Sequence, residues 1–217
     1  MKSKRFATVF NPILKICLFL LLILIPAGLV LPAWWGQENK PVENIQVLVL
    51  VANCMVIYKG YRFGVGSKES RKLILWALPL MIIVILRELS WGRVFYPDGN
   101  GWFLPLEKLW FGVYVYPAIA GIIIAVVVGI FRQKLHNELI RWLKYGKIPL
   151  MDTLLIVGCY FAAGFIEHSK IFHGQRQDLF EELFELVMYL AVMSLFFNLG
   201  FNKEIQPSSS EAVDEER

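Results

Sequence analysis

Apolar residues fall along this chain in six long runs, separated by short polar stretches. The runs cover about residues 12–34, 42–59, 73–92, 110–131, 148–167 and 182–201. Each approaches the roughly twenty residues that a helix needs to cross a hydrocarbon core about 30 Å thick. Strict alternation of apolar and polar residues is absent, which argues against a barrel. Helices and closed barrels are the only structures that satisfy their backbone polar groups in lipid. The pattern therefore predicts an all-α fold, a polytopic membrane helix bundle of six transmembrane helices. Residues 1–201 make the single transmembrane domain, and the acidic, aromatic-free segment 202–217 reads as a disordered tail.

The first run resembles a signal peptide in its basic start, "MKSKR". Its apolar stretch from Ile13 to Ala33 is longer than the 7–15 residues typical of a signal, and no A-x-A cleavage pattern follows. It reads as a retained crossing.

Between the fourth and fifth runs, "RQKLHNELIRWLKYGK" has a different period. Leu135, Leu139, Trp142 and Leu143 recur at helical spacing with Lys134, Arg141 and Lys144 between them. That suits a short amphipathic helix on an anionic membrane face. In the fourth run, Gly121, Ala125 and Gly129 form a small-residue row of the kind that lets helix backbones approach.

Composition agrees with a membrane protein. The 217 residues are 57% hydrophobic and 18% charged, with a mean hydropathy of +0.54. Soluble domains average roughly 45–50% apolar and 25% charged. The net charge of +4 comes from scattered residues, which excludes a nucleic-acid partner. Cys17, Cys54 and Cys159 lie inside apolar runs at no metal or redox spacing and read as small packing groups.

Charge also sets direction. With the amino terminus inside, cytoplasmic segments hold fifteen Lys and Arg and outer loops hold five: Lys40, Arg93, Lys108, Lys170 and Arg176. The positive-inside rule then places both termini in the cytoplasm, giving an N-in/C-in chain with the amphipathic helix on the cytoplasmic side. Short loops and compactness point to the inner (plasma) membrane of a prokaryote.

The third run raises a problem. "LILWALPLMIIVIL" is followed at once by Arg87 and Glu88. Fourteen helical residues rise about 21 Å, so these charges would lie below the outer surface. The sixth run enters from outside, and Glu185, fifteen residues before Gly200, comes to about the same depth. Arg87 is therefore expected to pair with Glu185, Glu88 or both, since a guanidinium can grip a carboxylate at two points.

More polar groups cluster near this layer: Ser90, Trp91 and Arg93 after the third run, Glu167, His168 and His173 after the fifth, and Asp178, Glu181 and Glu182 at the start of the sixth. Glu88, Glu182 and Glu185 are candidate bases, with His168 and His173 as proton carriers. Arg87, Arg93, Ser90 and Trp91 are candidates for binding substrate. Carboxylates and imidazoles are also metal ligands, and Glu167, His168, His173 and Glu185 would suit a divalent metal cofactor.

Three functions compete on this basis. An enzyme would act on a lipid or lipid-linked substrate at the outer leaflet, with a lipid head group as its ligand. A scaffold or assembly protein would use the polar layer as a structural lock and partner another membrane protein. A small proton-coupled transporter would need a path, for which Asn53 and Asp152 are the stepping points.

Overall fold

A computed structural model describes residues 6–99, 103–169 and 174–207. Eight helices carry the fold: α1 (Pro12–Val30), α2 (Pro41–Phe63), α3 (Lys68–Leu75), α4 (Leu78–Glu88), α5 (Gly112–Arg132), α6 (Leu135–Tyr145), α7 (Leu150–His168) and α8 (Gln175–Phe201). A two-residue strand, β1 (Phe6–Ala7), pairs in parallel with β2 (Ile148–Pro149). The chain is otherwise helical or in short 3-10 turns, in keeping with the all-α expectation.

Five helices, α1, α2, α5, α7 and α8, are long and apolar enough to cross a membrane. The third apolar run behaves differently. It is divided between α3 and α4, each too short to cross alone. Pro79 accounts for the break, because it has no N–H to donate and its ring crowds the carbonyl four residues earlier, that of Leu75. Trp76 and Ala77 keep right-handed dihedrals at the junction, so the chain kinks without reversing.

The organising element is α8, which packs against α1, α2 and α7. Its neighbours' directions follow from paired residues at each end. Gln46 of α2 meets Glu182 near the start of α8, and Gly60 meets Gly200 near its end, so α2 and α8 run parallel. Gly60 and Gly200 let two backbones close up: a Cβ built on Gly200 would sit 3.1 Å from the Gly60 Cα. In contrast α1, α4 and α7 run antiparallel to α8, through Asn11–Ser194, Arg87–Glu185 and Asp152–Asn198.

At the end away from Glu182, a buried polar chain joins three helices. Asn11 caps α1 by accepting from the Leu14 N–H at 2.8 Å, and its amide donates to the Ser194 hydroxyl at 2.8 Å. Ser194 donates in turn to Asp152, whose other oxygen accepts from the Asn198 amide at 2.9 Å. Each member is at most 5% exposed. Beyond α8 the chain stays packed as far as Pro207, with Ile205 fully buried, so the tail expected over 202–217 begins inside the folded body. Residues 208–217 lie outside the described residues.

The expected amphipathic segment is α6, and polar contacts dock it on α3. Glu138 accepts from Ser70 and from Arg141, the latter at 2.7 Å, and Trp142 donates its indole N–H to Ser70 at 3.0 Å. Leu135 is buried while Leu139 and Leu143 stay exposed. Peripheral α5 packs mainly on α4 and α6. Gly129 receives the Trp76 ring, whereas Gly121 faces open space, so only one end of the small-residue row is used in packing.

Candidate functional site

The site begins where α4 stops. After Glu88 the backbone turns left-handed at Ser90 (φ 46°), Trp91 (φ 57°) and Gly92 (φ 84°). Gly92 adopts this freely, but Ser90 and Trp91 do so at a cost that their surroundings must offset. The turn swings the Ser90 hydroxyl onto Glu38 and brings the Arg93 guanidinium to the Leu104 carbonyl at 2.9 Å. It also leaves Arg87 and Glu88 facing α8.

On α8, Glu182, Glu185 and Tyr189 fall at i, i+3 and i+7 and share a face. The expected ion pair is present: Arg87 Nη2 contacts Glu185 Oε1 at 3.0 Å and Oε2 at 3.2 Å. Arg87 Nε also lies 3.4 Å from Glu88 Oε1. The Glu88 side chain is only 4% exposed, and the Tyr189 hydroxyl donates to the same oxygen at 2.8 Å. On the far side, fully buried Gln46 donates to the Glu182 carbonyl at 2.8 Å and to Glu182 Oε2 at 2.7 Å. Glu88, Glu182 and Glu185 can each present one oxygen within 4.8 Å of the others. Three carboxylates therefore crowd together, two of them, Glu185 and Glu88, against the Arg87 guanidinium.

Two clefts flank the cluster. One, of about 600 Å³, lies beside α7 and α8 and is lined by Arg87, Glu185, Glu181, Glu167, His168 and the rings of Tyr160, Phe161 and Phe165. The three rings are more than 60% exposed, so the cleft opens on the apolar flank of α7. The other, of about 320 Å³, lies under the loop after α1 and is lined by Glu38, Asn39, Lys40, Phe103, Asp178, Glu181 and Glu182. Glu181 and the acidic cluster thus stand between a polar cleft and an aromatic one.

The residues expected from the sequence divide by position. Glu88, Glu182, Glu185 and Arg87 converge. Ser90 and Arg93 sit one turn away and meet Glu38 instead, Arg93 at 3.9 Å, with Trp91 half-buried between them. Glu167 and His168 share the aromatic cleft with Glu185 but stand at its exposed rim. His168 Nδ1 is 2.9 Å from the Gly164 carbonyl and 3.6 Å from Glu167. Among the described residues, the oxygens that gather within 4.8 Å of one another are those of Glu88, Glu182 and Glu185, with no imidazole in the group. His173 lies outside the described residues.

Gln46 and Tyr189 complete the site and were not among the expected residues. Their signals were faint: a single amide inside the apolar run "IQVLVLV", and a phenol one helical turn after Glu185. Asp152, expected as a stepping point, lies at the opposite end in a closed network, and Asn53 donates only to the Met81 sulfur, at 3.8 Å.

Compared with protein families, curated proteins and solved structures, the chain finds no match in any of the three. Chemically the site combines an anion-binding guanidinium, clustered carboxylates able to take a proton or a cation, and an aromatic entrance.

Proposed function

We propose that the protein is a membrane-embedded enzyme acting on a lipid or lipid-linked substrate with an anionic head group, which enters sideways through the aromatic cleft. One observation carries the reading. The Arg87 side chain is 55% exposed and lines that cleft, although Glu185 and Glu88 both contact it. Here Arg87 spends Nη2 on Glu185 and Nε on Glu88, and its remaining donors stay available at the cleft, where a phosphate or carboxylate can be gripped.

In this reading Arg87 holds the head group, Glu185 and Glu182 act as bases, and His168 at the rim exchanges protons with water. The rings of Tyr160, Phe161 and Phe165 receive the acyl portion. Taken together, residues 68–88 of α3 and α4 rise about 31 Å, enough for a kinked sixth crossing. The Lys and Arg bias then puts the termini and α6 in the cytoplasm and the cluster near the outer leaflet of a prokaryotic plasma membrane.

The test is reconstitution of the full chain into vesicles made from a bacterial lipid extract, followed by mass spectrometry of head groups. Wild-type protein should change at least one anionic lipid, and R87A and E185Q should abolish the change, while E107Q on the exposed 3-10 turn should not. Identical lipid profiles with wild type and E185Q would remove the proposal.

A second reading, a scaffold, is favoured by a different observation: Arg87–Glu185 and Glu88–Tyr189 tie the end of α4 to α8 through two side-chain links. It assigns the same groups to stability alone.

A further inference from the structure

Around Glu182 the hydrogen-bond inventory does not close. The Gln46 amide nitrogen uses both hydrogens on Glu182, one on the backbone carbonyl and one on Oε2. This settles which end of the amide is nitrogen, since the reverse assignment would set oxygen against two acceptors. The remaining atom, Oε1, is buried without a donor on a side chain that is 0% exposed. This orphan oxygen belongs to the same planar amide whose nitrogen meets the Glu182 carboxylate. An acceptor left unpaired in a dry site is destabilising.

The neighbouring carboxylates repeat the imbalance. Glu88 Oε1 takes the Tyr189 hydroxyl and the Arg87 Nε, while Glu182 Oε2 takes Gln46. Among the described residues, Glu88 Oε2 and Glu182 Oε1 have no hydrogen-bond donor. The three carboxylates have oxygens within 4.8 Å of one another, and the Arg87 guanidinium meets two of them, so fully ionised they carry three negative charges against its one. Both shortfalls, of positive charge and of electron-pair acceptors, involve Glu182 and the amide that holds it.

We infer that Glu88, Glu182 and Glu185, with the amide oxygen of Gln46, bind one divalent cation that prefers hard oxygen ligands. Three carboxylate oxygens and an amide oxygen form the donor set of Mg²⁺, Mn²⁺ or Ca²⁺. Zinc is disfavoured, because no imidazole or thiolate joins the set. Two formal charges match the deficit. Tyr189 and Arg87 orient Glu88 and Glu185 from behind, as outer partners do at metal centres. The inference deepens the proposed function by supplying its site with a cofactor, yet cation binding can be read with no substrate present, so either can fail without the other.

The experiment titrates Mn²⁺ into the purified full chain in detergent and follows free Mn²⁺ by electron paramagnetic resonance, with Mg²⁺ as competitor. Wild-type protein should take up a single equivalent that Mg²⁺ displaces. E182Q should weaken uptake by at least about tenfold, and Q46L, which keeps the packing volume but removes the orphan oxygen, by several-fold. E107Q should bind as wild type does. Q46L also covers the case in which E88Q or E182Q fails to fold. No uptake at millimolar Mn²⁺ would overturn the inference. So would binding that survives E182Q and Q46L but disappears in D178N, which would place the cation on exposed acids.

Discussion

Arg87 and Glu185 lie 98 residues apart in the chain, yet one guanidinium nitrogen of Arg87 contacts both oxygens of the Glu185 carboxylate, at 3.0 and 3.2 Å. The contact fastens the last turn of α4 to the third turn of α8. It leaves Glu185 14% exposed while Arg87 remains open to the cleft. The two partners thus differ in what they offer: Glu185 belongs to the interior of the cluster and Arg87 to its entrance.

That asymmetry separates stability from activity. R87A should lower thermal stability in detergent by about 1 kcal/mol, a modest figure because the arginine is half exposed. The reversed pair, R87E with E185R, should recover most of that loss in melting temperature. Lipid turnover should stay lost in the reversed pair, since the cleft then presents a carboxylate to an anionic head group. Full recovery of both would assign the pair to structure alone.

The close approach of α2 and α8 depends on two residues without side chains. A Cβ at Gly200 would meet the Gly60 backbone at 3.1 Å, and larger groups have no room. G200L should destabilise the bundle by about 1–3 kcal/mol, the usual cost of overpacking. Guanidinium-free thermal melts in a mild detergent would show the shift, and an unchanged midpoint would mean that the helices can part cheaply.

The Asn11–Ser194–Asp152–Asn198 chain is fully enclosed, so its worth lies in satisfied donors. D152A would leave the Ser194 hydroxyl and the Asn198 amide without an acceptor and should cost about 1–3 kcal/mol. D152N keeps one acceptor oxygen and should cost less. Equal losses in the two variants, measured by thermal unfolding, would contradict this account.

Docking of α6 rests on Glu138, which is 8% exposed and accepts from Ser70 and Arg141. E138A should release α6 from α3 and expose Arg141 and Lys144 to trypsin several-fold faster than in wild type. Cleavage at an unchanged rate would show that Leu135 and the Trp142–Ser70 hydrogen bond hold the helix without Glu138.

Orientation can be read directly. In the proposed topology a cysteine replacing Lys108 should react with a membrane-impermeant maleimide in intact cells, and one replacing Lys144 only after permeabilisation. Cys17 and Cys159 are buried and should add little background. The opposite labelling pattern would invert the chain and move the cluster to the cytoplasmic leaflet.

How far the chain could be understood before folding depends on the type of question. Depth was legible: a helix advances about 1.5 Å per residue wherever it stands, so counting from each end brought Arg87 and Glu185 to one level. The apolar runs foretold six crossings, of which five are single long helices and the third is divided, and the mixed period around Trp142 foretold α6. The interruption at Pro79 was written in the chain as well, but a kinked helix and a broken one share the same local signal.

Azimuth was not legible, because which neighbour a helix face meets is decided by packing partners distant in sequence. Glu167 and His168 have the right depth and chemistry, yet α7 turns them to the exposed rim. Gln46 and Tyr189 carry little signal of their own and gain their roles from the residues opposite them. Local chemistry settled which segments form apolar helices and at what level their charges sit; the assembled bundle decided which of those charges face one another, since contact across helices depends on rotation about each axis and a linear pattern holds no record of it.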